Sequence, residues 1–137
     1  MRQTHFTIAV GIAAAALALA GCGGGDEEAT PTDTEATTTP AVGSTLKGSV
    51  GPGFDISLTT QDGQDVTTLA PGSYTIEVDD MASSHNFHLT GPGGIDESTE
   101  VGEEETETFQ VDLQPGTYSF VCDPHSSSLN GSFEVTG

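Results

Sequence analysis

From Thr45 to its end the chain predicts an all-β fold, an antiparallel sandwich of six or seven short strands. Three observations predict it. Apolar residues alternate with polar ones at period two along most of this stretch, the pattern of strands with one face on a core. Turn signals at Asp62-Gly63, Pro71-Gly72, Gly91-Pro92-Gly93 and Pro115-Gly116 punctuate the alternation regularly. Helical spacing is hard to find anywhere between those turns, and no internal repeat is visible.

Each expected strand has its own inward set. Phe54, Ile56 and Leu58 make the first, and Tyr74, Ile76 and Val78 the second. Phe87 and Leu89 follow, then Phe109, Val111 and Leu113. Tyr118 and Phe120 lead on to Cys122 on the same face, and Phe133 with Val135 closes the chain. A core of this size is modest, so a metal bound only by the folded state would add to its stability.

The residues upstream of the strands are of two kinds. Residues 1–21 open with Arg2, run apolar from Phe6 to Ala20 and end in small residues, which reads as a secretory leader. The apolar run is too short to cross a hydrocarbon layer of about 30 Å comfortably. Its Leu-Ala-Gly-Cys ending resembles the lipobox of bacterial lipoproteins, and the resemblance implies lipidation of Cys22 as the first mature residue. An ordinary leader or a plain membrane anchor with an incidental Cys is the alternative. Residues 23–44 are Gly, Thr, Pro, Ala and acid, a composition with too little to bury to order itself. The expected organisation is therefore a leader at 1–21, a lipidated Cys and disordered acidic linker at 22–44, and one domain at 45–137. The linker is a stalk, about 25 Å in root-mean-square span if it behaves as a flexible coil.

Charge narrows the function further. Two Lys+Arg stand against 21 Asp+Glu, a formal charge of −19, and loss of Arg2 with the leader leaves Lys47 as the one basic side chain. Nucleic-acid binding needs cations to displace counterions from phosphates, so that class is excluded. Such acidity suits a cationic partner, a soluble monomer or a high-salt habitat. Asp96, Glu97, Glu100, Glu103, Glu104, Glu105 and Glu107 crowd one segment between strands, read as a solvated loop or a docking patch for a cationic redox protein. They lack the spacing of an EF-hand calcium loop.

Two Cys are present, and a lipidated Cys22 leaves Cys122 unpaired in an exported chain. Such a leftover Cys is a reactive thiol, an intermolecular bridge or a metal ligand. Its neighbours favour the ligand: Cys122-Asp-Pro-His125 puts a thiol and an imidazole three residues apart across a turn. His85, His88 and His125 are the three His beyond the leader, and His85 opens His85-Asn86-Phe87-His88-Leu89 in phase with inward Phe87 and Leu89. One thiolate with two imidazoles suits copper in blue electron-transfer sites. His88, three residues from His85, faces the other side of the strand and is expected at the surface.

His-Asn-Phe early and Cys-x-Pro-His late, opening the final hairpin of an all-β domain, resembles the cupredoxins of plastocyanin and amicyanin type, and most of all the small copper-binding lipoproteins of bacteria. The resemblance covers 45–137. It implies a Greek-key sandwich holding one copper (Cu+/Cu2+), with His85, Cys122 and His125 as ligands. By the same likeness Asn86 hydrogen-bonds near the thiolate, fixing the loop around the sulfur. The family commonly has Met two residues before the closing Gly, where this chain has Leu129 before Gly131. Leu129 is then a non-ligating residue at the axial position, and loss of a thioether donor raises the reduction potential.

The expected function is electron transfer by an exported protein, lipid-anchored on the periplasmic or outer face of a membrane. A copper chaperone or storage module is the alternative. A cysteine hydrolase would need a base and an oxyanion site that this spacing does not offer, so no enzyme is expected.

Overall fold

The computed structural model describes residues 39–137; the expected leader, Cys22 and the linker through residue 38 lie outside the described residues. The alternation becomes nine strands among the described residues: β1 (Thr45–Val50), β2 (Ile56–Thr60), β3 (Thr68–Leu69), β4 (Gly72–Asp80), β5 (His88–Gly91), β6 (Ile95–Ser98), β7 (Glu105–Leu113), β8 (Gly116–Val121) and β9 (Asn130–Val135). Among the described residues no helix is long and apolar enough to cross a membrane.

The strands form a sandwich of two sheets, one ordered β2-β1-β4-β7 and the other β3-β9-β8-β5-β6. Two pairings depart from the antiparallel expectation, since β1 runs parallel to β4 and β3 parallel to β9. Parallel neighbours need a long crossover. The chain provides one by visiting β2 and β3 before returning as β4, which also gives the Greek-key character expected.

Between the sheets lies one apolar core. Leu46, Val50, Leu58, Tyr74, Ile76 and Val78 meet Phe87, Leu89, Tyr118, Phe120, Phe133 and Val135 there. Phe87 stacks on Phe120 at 5.5 Å between centroids and Tyr118 on Phe133 at 5.2 Å. Tyr118 carries its polar atom to the edge of the core: its Oη accepts from Gln114 N at 2.9 Å and lies 3.1 Å from Pro92 O. A buried tyrosine bonded back to the backbone just upstream ties the turn before β8 to that strand. A Cβ at Gly91 would collide with the same ring, so Gly is what lets β5 pass it.

Three readings of the sequence are revised. Phe54 continues the alternation into Ile56 and Leu58 but lies outside the strand and is 72% exposed. It follows Gly51-Pro52-Gly53, where the chain turns rather than extends. The acidic run is only partly loop, because Asp96 and Glu97 belong to β6 and Glu105 and Glu107 to β7. The hydrogen-bonded fold also reaches upstream of Thr45, for Ser44 N donates to Ala41 O and Gly43 N to Ser73 O.

Candidate metal centre

His85 comes from the segment between β4 and β5. Its amide donates to Ala82 O at 2.9 Å, closing a turn against Gly51 of the β1–β2 loop. The flanks of the segment are pinned by a buried chain of hydrogen bonds. Phe87 N donates to Thr99 Oγ1 at 2.8 Å, Thr99 Oγ1 donates to Asp80 Oδ2 at 2.7 Å, and Ala82 N reaches Asp80 Oδ1 at 3.3 Å. Every polar atom here is satisfied, which is how a carboxylate that is 2% exposed is tolerated at the end of β4.

Cys122 and His125 come from the turn after β8. Strand alternation puts Tyr118, Phe120 and Cys122 inward together, and Cys122 is fully buried, in no disulfide. A 3₁₀ turn at Asp123–His125 follows, with Pro124 at its start, where a missing N–H costs nothing. His125 N donates to Cys122 O at 3.0 Å, folding the imidazole back over the sulfur. Leu129 closes the loop, its N donating to His125 O at 2.9 Å and its O accepting from Cys122 N at 3.0 Å.

These two segments bring one sulfur and two nitrogens together. His85 Nδ1 and His125 Nδ1 lie 3.1 Å apart, and each is 3.5 Å from Cys122 Sγ. Within that triangle the point equidistant from all three atoms lies about 2 Å from each, the length of an imidazole–metal bond and a little short of the roughly 2.3 Å of a thiolate–metal bond. His85, Cys122 and His125 are the one such group of donors among the described residues. With both Nδ1 atoms turned inward, an ion bound through them would leave the proton of each ring on Nε2. The donor set therefore fits one small, soft-accepting ion, and thiolate with two imidazoles in a triangle matches copper.

Phe54 stands at the mouth of the triangle, its ring edge-on to His85 at 5.4 Å and to His125 at 5.1 Å. His85 is 3% exposed while His125 is half-buried, so His125 is the more accessible of the two imidazoles. Met81 and Val101 are also exposed. Backbone bonds from Met81 N to Val50 O and from Gly102 N to Ser83 O hold their loops at this same end of the sandwich.

Asn86 is buried and makes a two-point pair with Asp123. Its Nδ2 donates to Asp123 Oδ2 at 2.8 Å, and its Oδ1 accepts from Asp123 N at 2.8 Å. Asn86 thus holds the residue after Cys122. His88 does turn away from the triad, yet it is no bare surface residue. Its Nδ1 lies 2.9 Å from Asp123 Oδ1 and its Nε2 2.8 Å from Asp96 Oδ1. The hydrogen bond to Asp123, followed by that to Asp96 and the charges of both, raises the His88 pKa above its ordinary value against the opposing pull of burial. In return the His88 and Asn86 bonds lower that of Asp123. No sequence pattern joined these three residues, since they meet only when β5, β6 and the turn after β8 pack together.

Four carboxylates of the acidic segment, that of Glu107 included, gather together. Glu107 has its pKa raised by burial and then by Glu105, Glu97 and Glu100, so carboxylates from β6, β7 and the loop between them repel one another here.

No family model and no curated protein matches the chain. Solved structures do. A point mutant of rusticyanin superposes with a TM-score of 0.50 at 17% identity, over 67% of this chain and 76% of that one. Dithionite-reduced auracyanin from the photosynthetic bacterium Roseiflexus castenholzii gives 0.50 at 16% identity, over 71% of this chain and all of that one. At such identities the likeness is one of fold, and the fold is cupredoxin-like.

Proposed function

We propose that this chain is a mononuclear type 1 copper protein that carries single electrons from the outer surface of a membrane. The observation that carries the reading is the triangle of His85 Nδ1, His125 Nδ1 and Cys122 Sγ, whose sides of 3.1 and 3.5 Å suit one ion bonded to all three. The fold likeness to auracyanin, a protein solved in a chemically reduced form, supports it. Copper bound there supplies reversible one-electron chemistry between Cu(I) and Cu(II).

The residues of the chain do the rest. Cys122, His85 and His125 would hold the ion, and core packing around Cys122 keeps water from the sulfur. Leu129, 1% exposed and bonded through its backbone to both His125 and Cys122, is proposed to close the axial side with hydrocarbon. His125 and the edge of Phe54 would offer an electron from such an ion its way to the surface. A carrier of this kind turns over no substrate, in keeping with a non-enzymatic role. Its redox partner is proposed to be a protein with an apolar contact and a cationic rim, matching Phe54, Met81 and Val101 and the carboxylates of β6 and β7. Anchoring through lipid on Cys22 is part of the proposal and rests on sequence alone; intact mass of the mature chain, with Cys22→Ala as control, reads it directly.

Cu(II) loading tests the central claim. The wild type is expected to give an intense visible band near 600 nm, as the family resemblance implies, and Cys122→Ser to abolish it. A wild type that binds Cu(II) and stays colourless overturns electron transfer and favours the chaperone alternative.

A further inference from the structure

The geometry points to His88 as a positioning residue that sets the separation between the two halves of the metal centre, an inference that rests on the copper reading above. The triad is drawn from two chain segments, residues 82–87 before β5 and 122–125 after β8. The ladder between β5 and β8 has three rungs, His88↔Val121, Leu89↔Phe120 and Thr90↔Ser119, so it ends before reaching either segment. Past the last rung, side chains take over the cross-connection. Asn86 bonds twice to Asp123, and His88 Nδ1 bonds to the same carboxylate at 2.9 and 3.1 Å.

Alternation explains how His88 acts without touching a ligand. Residues opposite one another on antiparallel strands share a face. Leu89 and Phe120 point into the core, so His88 and Val121 point out. Asp123, two residues past Val121, continues that outer row, while Cys122 between them points in. Whatever holds Asp123 therefore holds the outward neighbour of the inward sulfur.

His88 holds it from a fixed point. Its far nitrogen is on Asp96 of β6, 2.8 Å away, so in the protonated ring both nitrogens donate to a carboxylate and the imidazolium spans from β6 to the turn. A freely solvated histidine would have one of these bonds or neither. Donor sets lose their fit to an ion when they drift by about 0.5 Å. The strut resists drift of the turn bearing Cys122 and His125 away from the segment bearing His85.

The test uses the copper-loaded mature chain at one fixed pH of about 6, below the ordinary histidine value of about 6.5, with His88→Ala, His88→Gln and Asp96→Asn. Three quantities are read: the rate of copper extraction by excess EDTA, the visible absorption envelope, and the thermal midpoint of the metal-free protein. His88→Ala is expected to extract about tenfold faster, the usual scale for losing a group that orients a ligand, and to shift the absorption envelope. His88→Gln is expected to recover part of both effects, because its amide still donates to Asp123. Asp96→Asn, which loosens only the far leg, is expected to fall between His88→Ala and wild type. If the variants keep the wild-type extraction rate and envelope while only the metal-free midpoint falls, His88 is a structural staple and the inference is overturned alone. A wild type that takes up no copper overturns it together with the copper reading.

Discussion

Replacing Asn86 by Ala should destabilise the metal-free domain, by an amount that the hydrogen bonds allow to be worked out. The change removes two bonds of 2.8 Å, one donated to the Asp123 carboxylate and one accepted from the Asp123 amide. A bond to a charged group is worth about 1.5–3 kcal/mol net, and one between neutral groups about 0.5–1.5. The Asp123 side chain is 53% exposed, so water replaces much of the first bond and its low end, about 1.5 kcal/mol, applies. The amide faces Asn86, which is 3% exposed, so the second bond belongs at its upper end, about 1–1.5 kcal/mol. Together they give about 2.5–3 kcal/mol, a large share of the roughly 5–15 kcal/mol that holds a domain folded. In a domain of this size each kcal/mol moves the midpoint by about 4–8 °C, so a fall of about 10–24 °C is expected. Thermal unfolding followed by near-ultraviolet circular dichroism, with chelator present, measures it. Asn86→Asp should fall at least as far, since it sets a second carboxylate against Asp123. A fall below about 3 °C for Asn86→Ala would refute the claim that this pair joins the two segments of the site.

Leu129→Met should lower the reduction potential by supplying a weak donor to the oxidised ion, at a stability cost below about 1.5 kcal/mol because the volumes are close. Redox titration resolves this readily, since about 59 mV is tenfold in a one-electron equilibrium; an unchanged potential refutes either the axial placement of Leu129 or the tuning argument, and a structure of the copper-loaded variant tells which. The His88 link should make stability depend on pH near neutrality. Its folded pKa is raised, so its contribution is fully present below the ordinary histidine value of about 6.5 and is lost as pH rises through the folded value. Urea midpoints measured from pH 6 to 9 should show a decline in the wild type that His88→Gln lacks; parallel profiles would contradict it.

The sandwich and two members of the triad were legible because each rests on a local pattern, while His85, 37 residues from Cys122, came in through the family resemblance. Period-two alternation marks a half-buried strand whatever its partner, and Cys122-Asp-Pro-His125 keeps its two donors close through one tight turn. What escaped depends on distant partners. β1 was hidden because its middle inward position is Gly48, set so close to Phe87 and Val78 that a Cβ would lie 3.0–3.3 Å from them. Lys47 beside it broke the apolar impression further. Phe54 misled in the opposite direction, since alternation cannot tell a strand residue from a loop residue in the same phase. Parallel pairing of β1 with β4 leaves no trace in either segment. The acidic residues of β6 and β7 concealed strands because both lie at sheet edges, where charge on the open face discourages pairing with another chain. His88 was read correctly as outward-facing, but its two carboxylates come from elements 8 and 35 residues away in sequence.

The turn at residues 41–44 gives the domain a direction. It is bonded beside the start of β4, where Gly43 N meets Ser73 O, and β1 then runs from Thr45, opposite Thr75, to Val50, opposite Asp80. Six residues of strand carry the chain about 20 Å, from that pole to the one where Gly51 lies against His85. Anything attached upstream of Pro40 therefore grips the molecule by the end remote from the triad. The same polarity means that a fusion or an immobilising tag at this terminus should leave access to His125 unobstructed.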